Sequence, residues 1–265
     1  MIDPIVEAVV LGVVQGVTEF LPISSDGHLA LAQMLFGSGE ASLVLTVLLH
    51  AGTLLATLIV LRARVKDATF DGVRALARPA RFRETPGGRD ALVVILASVP
   101  TAALGLSLRD AVERWTSSPL VTALGFALTG AVLVSTRFAR RGDAEGPSVT
   151  GALLIGVAQG LAVMPGLSRS GSTIAAALWL GIRPERAFEL SMLMSLPAIF
   201  GAVLLEGRHA TAAGVPPAAV GAAVAFVVGL GALGLLRRIV VRDRIAWFAP
   251  WVFALAALTL LFAGR

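Results

Sequence analysis

The sequence predicts an all-α polytopic membrane protein built as an inverted-topology repeat, in which each half has one re-entrant helix hairpin and three transmembrane helices. Three observations lead to this prediction: the composition, a duplicated motif and the distribution of basic residues. Apolar residues make up 56% of the 265 residues, whereas charged residues make up 15%. This is more apolar surface than the core of a soluble domain hides. We therefore expect much of it to face lipid.

The duplicated motif is an apolar segment interrupted by Gly, Ser and Pro. Its two copies read GVVQGVTEFLPISSDGH at residues 12–28 and GVAQGLAVMPGLSRSG at residues 156–171. Paired interruptions in corresponding halves of a membrane protein indicate broken helices that meet at a central site. We therefore expect one integrated membrane domain composed of two repeats. The repeats are residues 1–140, with a re-entrant hairpin at 5–36, and residues 141–265, with a re-entrant hairpin at 150–181.

Apolar runs close to the thickness of a bilayer core follow each hairpin. They cover residues 41–61, 91–108 and 120–136 in the first half, and 190–205, 218–236 and 245–263 in the second. Because three is an odd number of spans, the second half would be inserted upside down relative to the first. The two hairpins then enter from opposite sides of the membrane, so that their tips can meet.

Basic residues predict the orientation. Loop 62–90 carries eight of them, 137–148 three, 182–189 two and 237–244 four, while 109–118 carries two and 206–217 one. Basic loops remain cytoplasmic, so the first four loops are placed inside and both termini outside. The net charge of +5 lies in these short loops, which argues against a nucleic-acid partner. The absence of cysteine excludes disulfides, thiolate metal sites and a cysteine nucleophile.

The tip of the first hairpin carries polar side chains that suit phosphate chemistry. Gln15 and Glu19 are four residues apart and share one helix face, where they could hold a divalent cation (Mg²⁺ or Ca²⁺) or position a water. His28 can act as a base, an acid or a nucleophile near neutral pH. Asp26 is either a helix cap or a ligand. His50, in the first span, is either a packed polar residue or part of the site.

The tip of the second hairpin has the features of an anion cradle. Free N–H groups at a helix N-terminus attract phosphate, and Arg169 offers a planar fork that matches phosphate oxygens. An arginine at membrane depth needs an anionic partner. We expect this partner to be a substrate phosphate rather than Glu19, with a structural ion pair to Glu19 as the alternative. The expected phosphate-binding residues are Ser24, Gly166, Ser168, Arg169, Ser170, Gly171, Ser172 and Thr173.

The runs QGVTEFLPISSDGH and PGLSRSGST, with HAGTLLA at residues 50–56, resemble motifs of a known family. The family is that of the bacterial undecaprenyl-diphosphate phosphatases, the bacitracin-resistance type of integral-membrane lipid phosphatase. Its first motif, (E/Q)xxxE, falls on Gln15 and Glu19, and its phosphate-binding arginine falls on Arg169. The chain departs from the family's pattern in two places. Gln15 stands where many members have Glu, and Asp26 stands where a small neutral residue such as Thr is expected.

The resemblance implies hydrolysis of a C55 polyprenyl diphosphate to the monophosphate, which recycles the cell-wall lipid carrier, and it implies dependence on a divalent cation. We expect Glu19, Ser25, His28 and Arg169 to be catalytic. Ser25 would be the nucleophile and His28 its base, with water activated by Glu19 or His28 as the competing nucleophile.

A transporter or flippase of polyprenyl phosphate is the alternative function, since broken helices in inverted repeats are also typical of transporters. We expect the protein in the bacterial inner membrane, with its active site facing the extracytoplasmic side. The expected partners are the polyprenyl diphosphate and membrane lipids, and a homodimer is an alternative to the monomer.

Overall fold

The computed structural model describes residues 3–36, 43–116, 118–207 and 215–263. Within these ranges the chain is helical apart from turns and an isolated backbone bridge between Ala144 and Ile182. In the first half the helices are α1 (Pro4–Thr18), α2 (Ser25–Phe36), α3 (Leu43–Val60), α4 (Arg62–Ala77), α5 (Arg81–Glu84), α6 (Pro86–Ser107), α7 (Arg109–Thr116) and α8 (Pro119–Ser135). In the second half they are α9 (Val149–Leu161), α10 (Arg169–Trp179), α11 (Pro184–Gly207), α12 (Val215–Val241) and α13 (Ala249–Ala263).

Helices of spanning length occupy five of the six expected spans. Among the described residues α3, α6, α8, α11 and α12 are long and apolar enough to cross a membrane. The sixth expected span, residues 245–263, is a 3-10 turn followed by α13, which with 15 residues is shorter than the five long helices. Val99, Leu124 and Val227 are more than half exposed on the long helices, as expected for surfaces that face lipid. The protein is therefore an all-α integral membrane protein.

The two hairpins form where the motifs predict them. Helices α1 and α2 make the first hairpin, and α9 and α10 make the second. The ring of Pro22 is incompatible with a continued α1, because it would meet the carbonyl four residues earlier. With 15 and 13 residues, α1 and α9 are about 22 and 20 Å long, shorter than a bilayer core of about 30 Å. These lengths agree with hairpins that enter the membrane without crossing it.

Small residues let each hairpin pack closely on a span of the other half. A Cβ at Gly12 would lie 2.5 Å from the carbonyl oxygen of Gly221, and one at Gly16 would lie 2.8 Å from that of Ala225, both on α12. Gly156 and Gly160 bring α9 equally close to α6. The first hairpin thus packs on α12 while the second packs on α6. Each hairpin therefore packs on a span of the other half, an arrangement that agrees with two related repeats. The opposite insertion of the two halves in the membrane remains a prediction.

The loops 62–90 and 109–118 contain helices that the sequence analysis did not predict, namely α4, α5 and α7. Their apolar residues are interspersed with charges, so a search for apolar runs passes over them. The predicted start of the fourth span, residue 190, is likewise too late, since α11 begins at Pro184.

Ion pairs explain why α11 begins so early. Arg186 is 5% exposed, and its guanidinium contacts the carboxylates of Asp90 and Glu189. Arg64 bonds the same Glu189 carboxylate at 3.1 Å. Because charges can be buried when they are paired, the first turns of α11 pack among α4 and α6.

Candidate active site

The tips of the two hairpins lie against each other. The hydroxyl of Ser170 donates to the carbonyl of Leu21 over 3.3 Å. A Cβ at Gly27 would lie 3.2 Å from the Cα of Gly166, and one at Gly171 would lie 3.2 Å from the ring of Pro22. The absence of side chains at these glycines therefore permits the approach of the two tips. The structure brings together the two motifs that lie 144 residues apart in the chain.

Glu19 is the centre of the site. Its side chain is 4% exposed, and both carboxylate oxygens accept hydrogen bonds. Oε2 accepts from the amide of Gln15 at 3.1 Å and from the hydroxyl of Ser25 at 2.8 Å. Oε1 accepts from the guanidinium of Arg169 at 2.8 Å. One carboxylate thus joins both arms of the first hairpin to the tip of the second.

The partner of Arg169 differs from the expectation. We expected the guanidinium to face a substrate phosphate rather than Glu19, but the structure pairs it with Glu19. In a low-dielectric site two opposite charges stabilise each other, and either one alone is costly. The Nη1 atom of Arg169 is buried and has no hydrogen-bond partner among the described residues. Arg169 therefore keeps donor capacity beyond the ion pair.

His28 does not contact Ser25 as expected. Its Nδ1 lies 2.7 Å from the carbonyl oxygen of Ser24, and its Nε2 accepts from the indole N–H of Trp251 on α13 at 3.0 Å. The indole of Trp251 also stacks on the imidazole. With both ring nitrogens engaged, His28 is held away from the Ser25 hydroxyl. The structure pairs Ser25 with Glu19 instead, and this corrects the predicted pair of nucleophile and base.

Ser24, not Asp26, caps α2. Ser24 adopts a left-handed backbone conformation with φ of 69°, and its hydroxyl accepts from the N–H of Gly27 at 3.4 Å. The cap interpretation of Asp26 is therefore wrong. The side chain of Asp26 is 57% exposed, and its Oδ1 lies 4.0 Å from Nε2 of His50.

His50 belongs to the site. Its Nε2 lies 3.9 Å from Oε2 of Glu19, and its Nδ1 is 2.9 Å from the carbonyl oxygen of Thr46 one turn earlier in α3. The backbone contact holds the imidazole so that Nε2 faces both carboxylates. Of the two alternatives left open for His50, the structure favours a member of the site over an ordinary packed residue.

The polar residues of the second tip serve the local backbone. The hydroxyl of Ser168 caps α10 by accepting from the N–H of Gly171 at 3.1 Å. Thr173 is buried and its hydroxyl lies 2.6 Å from that of Ser191, while Ser172 is buried in the first turn of α10. Within the described part of the chain, the N–H groups of Arg169 and Ser170 have no hydrogen-bond partner. These two N–H groups, rather than the hydroxyls, are therefore the donors that remain available at the start of α10.

Residues outside the motifs complete the site. Thr129 on α8 donates to the carbonyl of Gly166 at 2.8 Å and accepts from the N–H of Ser168 at 2.9 Å, which fixes the second tip. Trp251 and Phe126 surround the imidazole of His28. The sequence analysis missed all three because each belongs to an apolar span and no local spacing links it to a motif.

The oxygen atoms near Glu19 are of the kind that bind a hard divalent cation. The Oε1 atom of Gln15 is buried and has no hydrogen-bond partner among the described residues. The Nε2 atom of the same amide bonds Oε2 of Glu19, which also accepts from the hydroxyl of Ser25. Oxygen atoms of this kind are the ligands that Mg²⁺ and Ca²⁺ prefer. The described residues contain no group of three or more His, Cys, Asp or Glu side chains that could hold a metal, so a cation here would need oxygens from a substrate as well.

Fold and site together define an integral membrane protein in which two helix hairpins hold a carboxylate, a hydroxyl and a guanidinium in one buried cluster. The family model described as bacitracin resistance protein BacA matches residues 8–258. The chain belongs to this family, and the resemblance drawn from the motifs is confirmed.

Curated relatives are similar over almost the whole chain. The undecaprenyl-diphosphatase of Desulfosudis oleivorans is 45% identical over 278 residues, which cover 98% of this chain and 99% of the relative. That of Desulfatibacillum aliphaticivorans is 40% identical over 268 residues, or 96% of this chain and 97% of the relative. The undecaprenyl-diphosphatase of Korarchaeum cryptofilum is 37% identical over 264 residues, which cover 97% of this chain and 99% of the relative. These names support the predicted hydrolase, and the transport alternative gains no support from them.

Proposed function

We propose that this protein hydrolyses undecaprenyl diphosphate to undecaprenyl monophosphate and phosphate, and so recycles the lipid carrier of cell-wall synthesis. The observation that carries the proposal is the contact of Glu19 with both Ser25 and Arg169, each at 2.8 Å. A nucleophile, a base and a phosphate-binding group thus lie within one cluster. The family and its relatives agree with this chemistry.

The second tip would bind the terminal phosphate. The Nη1 atom of Arg169 and the N–H groups at the start of α10 have hydrogen-bond capacity to spare. Phosphoryl transfer spreads negative charge over the phosphate oxygens, and donors fixed in a dry site stabilise that charge. Because Arg169 and Ser25 bond the two oxygens of one carboxylate, that of Glu19, a phosphate held by Arg169 would lie near the proposed nucleophile.

Ser25 is the proposed nucleophile and Glu19 its base. The Ser25 oxygen attacks the terminal phosphorus, its proton passes to Oε2 of Glu19, and the bond from phosphorus to the bridging oxygen breaks. Lipid monophosphate leaves, and the phosphate stays on Ser25. Water then attacks this phosphoserine and releases phosphate, after which the proton on Glu19 returns to the serine oxygen. Both proton transfers use the contact that is present between Ser25 and Glu19.

A divalent cation, Mg²⁺ or Ca²⁺, is proposed to bind at Glu19 and Gln15. The buried and unpartnered Oε1 of Gln15 supports this assignment. When bound, the cation would offset the negative charge of the diphosphate oxygens. Asp26 and His50 line the same side of Glu19, where Asp26 adds the carboxylate that the glutamine at position 15 lacks.

We propose that the site opens to the extracytoplasmic side of the inner membrane. His50 lies seven residues from the start of α3 and twelve residues before basic Arg62. At 1.5 Å per residue, these separations are about 10 and 18 Å along the helix. The site is thus closer to the end of α3 that is opposite the basic segment 62–90, and basic segments remain cytoplasmic.

Phosphate release from a polyprenyl diphosphate by purified protein tests the proposal. We expect release that depends on a divalent cation and is lost in Ser25→Ala, whereas Ser107→Ala, an exposed hydroxyl at the end of α6, should keep it. Rapid quenching with substrate labelled in the terminal phosphate should trap the label on the protein. Release without trapped label, and with activity retained in Ser25→Ala, would identify water as the nucleophile.

A further inference from the structure

Helix α4 has two opposite faces. Ala68 and Ala75 on one face are buried, and Gly72 lies against Ala91 of α6. On the other face Phe70, Val73 and Leu76 are 53%, 62% and 76% exposed. We call these three residues the α4 stripe. Such a row of large apolar side chains on one face of a charged helix marks a surface that contacts something apolar.

Contacts show that α4 crosses the first turn of α6 steeply. Arg64 pairs with Asp90, Asp67 approaches Gly87, and Gly72 meets Ala91. These contacts extend from residue 64 to residue 72 on α4, a rise of about 12 Å, but only from residue 87 to residue 91 on α6, a rise of about 6 Å. They do not advance together along the two helices, as they would if the axes were parallel. Since α6 has the length and apolar character of a span, α4 lies close to the plane of the membrane.

The depth of α4 follows from its neighbours. Helix α3, a candidate span, ends at Val60, and α4 begins at Arg62, so Leu61 alone separates them. The contacts on α6 fall at the start of that span. Both observations place α4 at the level where spans enter the bilayer, not away from it in water.

Basic side chains lie beside the α4 stripe. Lys66, Arg74 and the stripe residues Phe70 and Val73 line one shallow groove, and the guanidinium of Arg74 lies 3.7 Å from the ring centre of Phe70. In the described part of the chain neither Lys66 nor Arg74 forms an ion pair, whereas Arg64 forms one with Glu189. Two positive charges therefore flank apolar side chains on an exposed face. Anionic phospholipid complements this pattern, with phosphates for the charges and acyl chains for the stripe.

We propose that α4 is an interfacial helix that binds anionic phospholipid in the leaflet at the basic end of the protein. Phe70, Val73 and Leu76 enter the boundary between headgroups and acyl chains, and Lys66 and Arg74 contact the lipid phosphates. This contact fixes α4 and, through Arg64, the ion pairs with Asp90 and Glu189 at the start of α6 and α11. The proposal does not depend on the enzymatic activity.

Spin labelling tests the proposal directly, because the chain contains no cysteine. Val73→Cys is labelled with a nitroxide in lipid nanodiscs of phosphatidylcholine, with or without about 30% phosphatidylglycerol, an anionic lipid. Val99→Cys on α6, 63% exposed, is the lipid-facing control. Gly146→Cys is the water-facing control, since a side chain there meets no other atom within 4 Å. Leu76→Cys is a second position in the stripe in case Val73→Cys yields no folded protein.

We expect the label at Val73 to resemble that at Val99, with high accessibility to oxygen and low accessibility to a water-soluble nickel reagent. Anionic lipid should lower the nickel accessibility further at Val73 but not at Gly146. The double substitution Lys66→Gln with Arg74→Gln should remove this dependence on lipid charge, whereas Arg140→Gln, another exposed arginine, should leave it intact.

Two results would overturn the proposal. One is a label at Val73 that is as accessible to nickel as the label at Gly146 in both bilayers. The other is dipolar coupling between labels at Val73 that is independent of lipid charge, since it would show that a second copy of the chain covers the stripe.

Discussion

Replacing Arg169 with Lys separates the two roles that the structure permits for this side chain. Lysine keeps the positive charge and can still pair with Glu19, but it cannot reproduce the planar set of donors. If the free Nη1 donor binds phosphate, turnover should fall by two to three orders of magnitude, about 3 to 4 kcal/mol of transition-state stabilisation. Folding stability should fall by only about 1 kcal/mol, the net value of one hydrogen bond.

Complete loss of the positive charge at position 169 should instead lower folding stability strongly. Arg169→Met leaves Glu19 buried without a counter-ion, and breaking a buried pair costs about 3 to 5 kcal/mol. The pair is buried on both sides, with 16% of the Arg169 side chain and 4% of the Glu19 side chain exposed. In the double variant with Glu19→Gln both charges are gone, so stability should recover although activity does not.

The assay combines initial rates of phosphate release with thermal unfolding in detergent for each variant. Arg186→Lys is the matched control, because Arg186 is also a buried arginine paired with carboxylates, but its partners Asp90 and Glu189 belong to α6 and α11 and not to the tips. It should lower stability and leave turnover per folded molecule nearly unchanged. If Arg169→Lys behaves like Arg186→Lys, Arg169 is a structural residue and the phosphate-binding assignment is refuted.

Three further predictions concern other contacts of the structure. Glu19→Gln removes the proposed base, so turnover should fall by about two to three orders of magnitude; the residual activity should need about tenfold more divalent cation, because an amide binds a hard cation more weakly than a carboxylate, and a metal curve identical to that of the wild type would contradict the ligand role. Trp251→Phe removes the indole donor to the imidazole and should lower the free energy of unfolding by about 1 kcal/mol, the net value of one hydrogen bond, while Trp247→Phe, at another tryptophan that is more than half exposed, should change it less in the same thermal unfolding assay. Gly12→Ala places a Cβ 2.5 Å from a carbonyl of α12 and should destabilise the fold by about 1 to 3 kcal/mol, whereas Gly231→Ala, which meets nothing within 4 Å, should be neutral in a thermal unfolding assay.

The hairpins and most spans could be predicted because their signals are local. Pro22 and the pair Pro165 and Gly166 stand among Gly and Ser residues that favour an interruption, and apolar runs of spanning length can be read directly from the sequence. Helix α4 escaped prediction for the converse reason. Its apolar residues are spaced around charges, and its two faces become distinguishable only when one of them is buried on α6.

The pairing of Ser25 with His28 was wrong for a reason that spacing cannot reveal. Residues three apart on a helix share a face, so the motif was consistent with a direct contact. The imidazole of His28 instead contacts the carbonyl oxygen of Ser24 and accepts a hydrogen bond from the indole of Trp251. The indole comes from α13, more than 200 residues later in the chain, and no motif contains it.

The two tips differ in which polar groups remain available after their helix ends are capped. At the second tip the hydroxyl of Ser168 caps α10 and that of Ser170 bonds Leu21 of the first hairpin, so the N–H groups of Arg169 and Ser170 are the donors that remain available. The first tip reverses this arrangement. Ser24 caps α2, and the next hydroxyl, that of Ser25, is free to bond Glu19. In the proposed mechanism each hairpin would therefore supply half of the site: the first the nucleophile and base, and the second the donors that bind the phosphate. The small residues Gly27 and Gly171, which permit the close approach of the two tips, are thus needed to bring the two halves of the proposed site together.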